Sequence, residues 1–180
     1  MIAGCGGAKT LTATRTVTRT VTAPPVTTTA PAAAAVPACT GALLGGSFDT
    51  IRGSAGAGQI SYMLTLTNTS NSPCFVSGLP QIQLLDAQGG ALSTSVSAAQ
   101  PGQETAAKFV IQPSLSATSV ARFSPDVPGP GEGKANQPCE PTAHQLQVTA
   151  TGGGTVVVPV NPPTPVCEHG SLRMSAYTTG

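Results

Sequence analysis

The side chains with the greatest chemical reach in this 180-residue chain lie towards its C-terminus: Cys167-Glu168-His169, with Met174 beyond them and His144 upstream. Imidazole and thioether together are the ligand types of an exported copper carrier, because soft donors select Cu(I). The surroundings argue against that use. His144 opens a strand after Pro141 and His169 precedes Gly170 in a turn, so both read as exposed, whereas Met174 belongs to an apolar alternation and reads as core. No metal and no cofactor is expected; His144, His169 and Met174 stand only as metal candidates.

Other chemistry is sparse. Asp49, Asp86, Asp126, Glu132 and Glu140 are scattered over turns, where carboxylates are solvated or cap local backbone donors. No spacing among them marks the acid pair of a glycosidase. Gly129-Pro130-Gly131-Glu132-Gly133-Lys134 has the look of a phosphate loop, but Pro128 stands where that pattern needs glycine and Ala135 where it needs a hydroxyl. The stretch Pro125 to Gln137 reads instead as a surface loop, whose Asp126, Glu132 and Lys134 offer polar contacts to a partner. No Gly-x-Ser-x-Gly occurs, so a nucleophile elbow of that type is absent. No catalytic residue is assigned.

The cysteines speak more clearly. Cys39, Cys74, Cys139 and Cys167 form an even set within one domain, which in an exported protein reads as two disulfides out of three pairings. Cys139 and Cys167 flank a predicted hairpin and so lie near its open end; pairing them leaves Cys39 with Cys74. Zinc is disfavoured because no C-x2-C is present. The fifth cysteine, Cys5, closes Ile2-Ala3-Gly4-Cys5, the small-residue lipobox in which a thiol accepts a diacylglyceryl group before cleavage. A signal peptide needs an apolar stretch of roughly 7 to 15 residues ahead of the cut. Only four residues precede Cys5, so the expectation is a true start upstream of Met1, with residues 1–5 the remnant of a lipoprotein signal peptide.

These groups need elements to position them. Residues 6–38 supply none: threonine alternates from Thr10 to Thr22, Pro24, Pro25, Pro31 and Pro37 interrupt, and too few large apolar side chains are present to offset the entropy of ordering. The stretch reads as a disordered tether, spanning about 30 Å as a coil and about 100 Å if polyproline-like. Its ten threonines from Thr10 to Thr29 also offer hydroxyls for glycosylation. Lys9, Arg15 and Arg19 give it +3, whereas the remaining five basic and seven acidic residues leave residues 39–180 at −2. Those cations would help an acylated cysteine sit on anionic lipid, at about 1 kcal/mol each. With 3% aromatic residues, no tryptophan and no basic patch, nucleic-acid binding is excluded as a function class. No apolar run approaches the roughly 20 residues of a membrane-spanning helix.

Residues 39–180 read as strand after strand. Ile60, Tyr62, Leu64 and Leu66 alternate with polar residues, Met63 being the exception on the outer face; Leu146, Val148 and Ala150 repeat the pattern. Val156, Val158 and Val160 follow across Gly152-Gly153-Gly154, a loop of hairpin length, and Leu172, Met174 and Ala176 make a fourth set. Less regular candidates run from Leu43 to Ile51, Phe75 to Asp86, Thr105 to Ile111 and Ala117 to Phe123. No helix is predicted. The expected fold is an all-β, antiparallel, two-sheet immunoglobulin-like sandwich of seven to nine strands.

Tyr62-x-Leu64-x-Leu66-Thr67-Asn68-Thr69-Ser70, then Cys74, Gly78, Pro80, Leu84, Asp86 and Gly89, with Cys39 before and Cys139-x-Pro141 and Cys167 after, resemble the actinobacterial exported domains grouped as domain of unknown function 4232. The resemblance covers nearly all of residues 39–180, departing most in the small-residue segment 91–133. It implies a secreted or lipid-anchored β-sandwich and carries no catalytic residues. The reading that follows is a monomeric cell-envelope lipoprotein on the extracytoplasmic face. It would be held to the membrane by a lipid anchor and would act as a non-catalytic binding or structural module for an envelope protein or glycan. An accessory subunit of an envelope enzyme, or a copper carrier, is the alternative.

Overall fold

The computed structural model describes residues 4, 6–7, 10–16, 35–105, 107–133 and 138–180. The chain falls into two units, Met1–Ala33 and Ala34–Gly180. In the first, residues 10–16 form no strand and Leu11 is 93% exposed. Cys5, Lys134 and much of the tether lie outside the described residues.

The second unit is all-β, with eleven strands: β1 (Leu44–Thr50), β2 (Ile60–Asn68), β3 (Cys74–Val76), β4 (Gln81–Leu85), β5 (Ser95–Ala98), β6 (Phe109–Ile111), β7 (Ser116–Phe123), β8 (Thr142–Thr149), β9 (Thr155–Pro165), β10 (Ser171–Met174) and β11 (Thr178–Thr179). Period-two patterning sets the faces. Tyr62, Leu64 and Leu66 of β2 are fully buried while Met63 is 37% exposed. The same alternation buries Leu146 and Val148 of β8, Val158 and Val160 of β9, and Leu172 and Met174 of β10. Phe48, Tyr62 and Phe123 fill the centre, with ring centroids 5.0 and 5.3 Å apart, and the Tyr62 hydroxyl donates to the Pro162 carbonyl at 2.8 Å.

The strand arrangement corrects the expected one. Eight strands follow a single path, β4-β8-β9-β1-β2-β7-β10-β5, with β11 also on β7, and β3 and β6 make a separate pair. Two antiparallel immunoglobulin-like sheets do not form. Two of the pairings, β1 with β9 and β5 with β10, are parallel. β9 serves both halves: residues 155–159 pair with β8, Val160 and Asn161 cross to Phe48 and Asp49 of β1, and Thr164 and Pro165 return to β8. The crossing contains a cis Asn161–Pro162 peptide bond. The chain entering β5 doubles back on β4, where the Leu92 N–H donates to the Leu84 carbonyl at 2.9 Å and the Leu84 N–H donates to Thr94 Oγ1 at 3.0 Å. The two ends of the path are thus stitched and the sheet is nearly closed, which protects edges that would otherwise be sticky.

The predicted Phe75–Asp86 stretch is two strands, because Gly78 takes φ 71° and Pro80 removes a donor between them. β5 and β11 are strands that the sequence reading does not contain. Asn68 gives the Thr-Asn-Thr-Ser turn its physical reason. Fully buried, it donates to the carbonyls of Ser72 (2.8 Å) and Ile111 (3.0 Å) and accepts from the backbone and hydroxyl of Ser70, knotting β2, the turn and β6 together.

Candidate functional site

Both cysteine pairs are disulfide-bonded. Cys39 and Cys74 have Cα atoms 4.9 Å apart, Cys139 and Cys167 5.5 Å. The second bridge joins the approaches to β8 and β10, at the open end of the β8–β9 hairpin. Around it, among the described residues, the structure brings two carboxylates and an imidazole together.

The chain turns sharply at residues 167–170. Glu168 and His169 both take φ 58°, a left-handed conformation that ordinary side chains disfavour. Gly170 ends the turn at φ 74°, where any side chain would run into the Ser93 carbonyl. Successive left-handed residues aim their N–H groups to one side and make a small anion-binding nest. The anion that fills it comes from the same chain. Glu132 Oε2 accepts from the Gly129 N–H and the Glu168 N–H, each at 2.6 Å, and Oε1 accepts from the His169 N–H. The Glu132 side chain is only 2% exposed. It was expected to face a partner; it faces inward, because three backbone donors outcompete water for its oxygens.

Glu140 and His169 complete the group. His169 Nδ1 lies 3.3 Å from Glu132 Oε1 and 3.7 Å from Glu140 Oε1, while Nε2 lies 3.2 Å from the Pro130 carbonyl. Burial acts to raise the Glu132 carboxyl, but the N–H donors of Gly129, His169 and Glu168, with a hydrogen bond from Glu140, hold it down to about 2. The opposite holds at Glu140: burial, then its hydrogen bond and charge contact with Glu132, push it up. Glu132 is thus the stronger acid of the two and Glu140 the weaker, and a hydrogen bond from Glu140 joins the two carboxyls when Glu140 holds its proton. A carboxyl pair joined in this way does not bracket a sugar, since glycosidase acids stand about 5 Å or more apart.

The donor atoms of Glu132, Glu140 and His169 lie within 4.8 Å of one another, and two carboxylates with an imidazole suit a divalent ion. Such an ion would compete with three N–H groups for the Glu132 oxygens. The copper set is not assembled: His169 joins this group, Met174 is fully buried in the core and His144 is half-buried on β8. Of the expected loop contacts, Asp126 is exposed and Glu132 is turned inward, and Lys134 is outside the described residues.

A groove of about 570 Å³ opens beside the turn, lined by Gln59, Ala99, Arg122, Phe123, Glu168, Ser171 and Arg173. Arg122 of β7 and Arg173 of β10 stand directly opposite in the antiparallel ladder, and both are exposed. Sequence reading missed this pair, because only the strand register brings two arginines 51 positions apart in the chain together. A larger open hollow of about 640 Å³, between Ser77–Ile82 and Thr94–Val96, has Glu104 as its one charged side chain.

A family model described as Domain of unknown function (DUF4232) matches residues 39–178. No curated protein matches the chain, and no solved structure does.

Proposed function

The chain belongs to the DUF4232 family, and from that premise we propose that it is a lipid-anchored, extracytoplasmic binding module with no catalysis of its own. It engages an envelope protein or glycan through the end of the domain that carries Cys139–Cys167. One observation carries this reading: the loop around Gly129 to Glu132 is fastened to the 167–170 turn by a buried carboxylate, and that turn is tethered in turn by a disulfide. Two surface segments held this way lose little entropy on meeting a partner, which is how rigid loops gain affinity. The left-handed pair at Glu168 and His169 adds support, because such strain gathers at sites of recognition.

Supporting the compartment are the two disulfides, which persist in oxidising surroundings. Supporting the anchor is Ile2-Ala3-Gly4-Cys5, followed by a Thr/Pro-rich stretch long enough to hold the domain off a bilayer. The geometry favours binding over acid catalysis because both oxygens of Glu132 are committed to backbone donors.

The test is photo-crosslinking in intact cells from a reactive residue at Asp126, on the chain expressed behind a complete signal sequence. One defined partner is expected, in the membrane fraction, lost when Glu132→Ala loosens the loop. Cys5→Ala is expected to release the protein from that fraction. Capture indifferent to Glu132→Ala and to removal of residues 129–132 would overturn the binding reading; a Cys5→Ala protein still in the membrane would overturn the anchor.

A further inference from the structure

We infer that the Arg122–Arg173 groove is a binding site for a singly charged carboxylate at the end of a peptide. The inference rests on the binding-module reading and names the chemistry that its recognition face takes. Two arginines stand opposite each other on adjacent strands, an arrangement that like charges resist unless an anion lies between them. Among the described residues neither guanidinium has a hydrogen bond, nor a carboxylate within the 4.0 Å of an ion pair, although the domain as a whole carries more acids than bases. Both forks are therefore free to present paired N–H donors, the geometry that matches a carboxylate.

The surroundings narrow the ligand. Glu168 lines the same groove, so its fixed charge is about that of one cation, which a monoanion neutralises and a dianionic phosphate would overcompensate, leaving one negative charge unpaired. Glu168 is held there by the 167–170 turn, whose backbone is fastened to Glu132. Gln59 and Ser171 supply donors and acceptors of the kind a peptide amide needs. Phe123 is 2% exposed and offers no open ring on which a sugar would stack, which favours a peptide over an acidic glycan.

The experiment is calorimetric titration of the full chain, disulfides intact, with four probes: N-acetylated trialanine with a free C-terminal carboxylate, the same peptide as its C-terminal amide, inorganic phosphate, and a galacturonate oligomer. The free acid is expected to bind, the amide to bind about ten- to a hundredfold more weakly, and Arg122→Gln or Arg173→Gln to lose a similar factor. Arg173→Lys is expected to fall between, since it keeps the charge without the fork. Equal binding of acid and amide, preference for phosphate, binding of the galacturonate oligomer alone, or no carboxylate binding at millimolar concentration would each overturn the inference. Unfolding curves for both glutamine variants should show no loss of stability against the parent, which separates lost binding from lost structure. Partner capture from Asp126 with no carboxylate binding would end this inference and leave the module reading standing; the converse would do the reverse.

Discussion

The two disulfides close opposite kinds of structure. At Cys39–Cys74 the backbone does the fastening: Cys39 N–H donates to the Phe75 carbonyl at 2.9 Å, Phe75 N–H to Pro37 at 2.9 Å, and Gly152 N–H to Cys39 at 2.8 Å. Gly152 fits because a side chain there would meet the Ala38 and Cys39 carbonyls at 2.8 and 2.9 Å. Both sulfurs are buried, and no ionised side chain takes part in those bonds. At Cys139–Cys167 a carboxylate holds a left-handed turn, an exposed imidazole caps it, and two arginines lie in the adjoining groove. The first end behaves as a clasp. The second holds polar groups in an arrangement that stability alone does not require.

Removing the bridges should separate the two ends most strongly. Cys39→Ala with Cys74→Ala is expected to cost about 2–5 kcal/mol in urea unfolding, the usual range for a native bridge. Cys139→Ala with Cys167→Ala should cost less. The sequence separations, 35 and 28, give similar loop entropies, but losing the second bridge lets the left-handed pair relax. The reverse order would break the comparison.

Next comes the carboxylate. Glu132→Ala strips the acceptor from three N–H groups and should cost about 1–3 kcal/mol, with faster amide exchange at Glu168 and His169 as the local readout. Its pH signature has a defined sign. A carboxyl held down to about 2, from an ordinary 4.5, contributes stability that is present above the ordinary value and lost as pH falls towards 2. Glu140, pushed up, contributes in the opposite sense: its share is present in acid and is lost as pH rises through its elevated value. Stability from this end should therefore peak in mild acid, between the two titrations, and Glu132→Gln should flatten the acid limb of a urea midpoint-against-pH profile. An unchanged limb would show that Glu132 titrates as a free carboxylate.

The smallest effect belongs to the arginines. Arg122→Gln should leave stability unchanged or raise it by about 0.2–1 kcal/mol, because it removes a like-charge pair across the ladder. A clear loss would recast the pair as structural.

The regularly alternating strands were legible in the sequence because burial writes a two-residue period into β2, β8, β9 and β10. β5 was not, since Ser95-Val96-Ser97-Ala98 alternates with side chains too small to stand out from neighbouring loop sequence. The mixed topology was hidden for another reason: local pattern fixes which face of a strand is buried, and nothing in it says that β9 will lie parallel to β1. Glu132 sits among glycines and prolines, the composition of a solvated loop, so its inward aim depends on donors 36 and 37 residues away. Left-handed Glu168 and His169 carry no propensity signal at all.

The crossing of β9 onto β1 has a bearing on how the molecule comes into being. Phe48 and Asp49 pair with Leu64 and Met63 of β2 on one side, but their partners on the other, Val160 and Asn161, arrive more than a hundred residues later, and Asn161 then donates to Asp49 at 3.0 Å. A chain that emerges N-terminus first therefore has β1 and β2 in hand long before the strand that completes their sheet. Contacts so distant in sequence make for slow, late cooperative closure. Until then the unfinished hairpin must be kept from pairing with other chains, a task that falls to whatever machinery escorts the polypeptide while its last quarter is still being delivered.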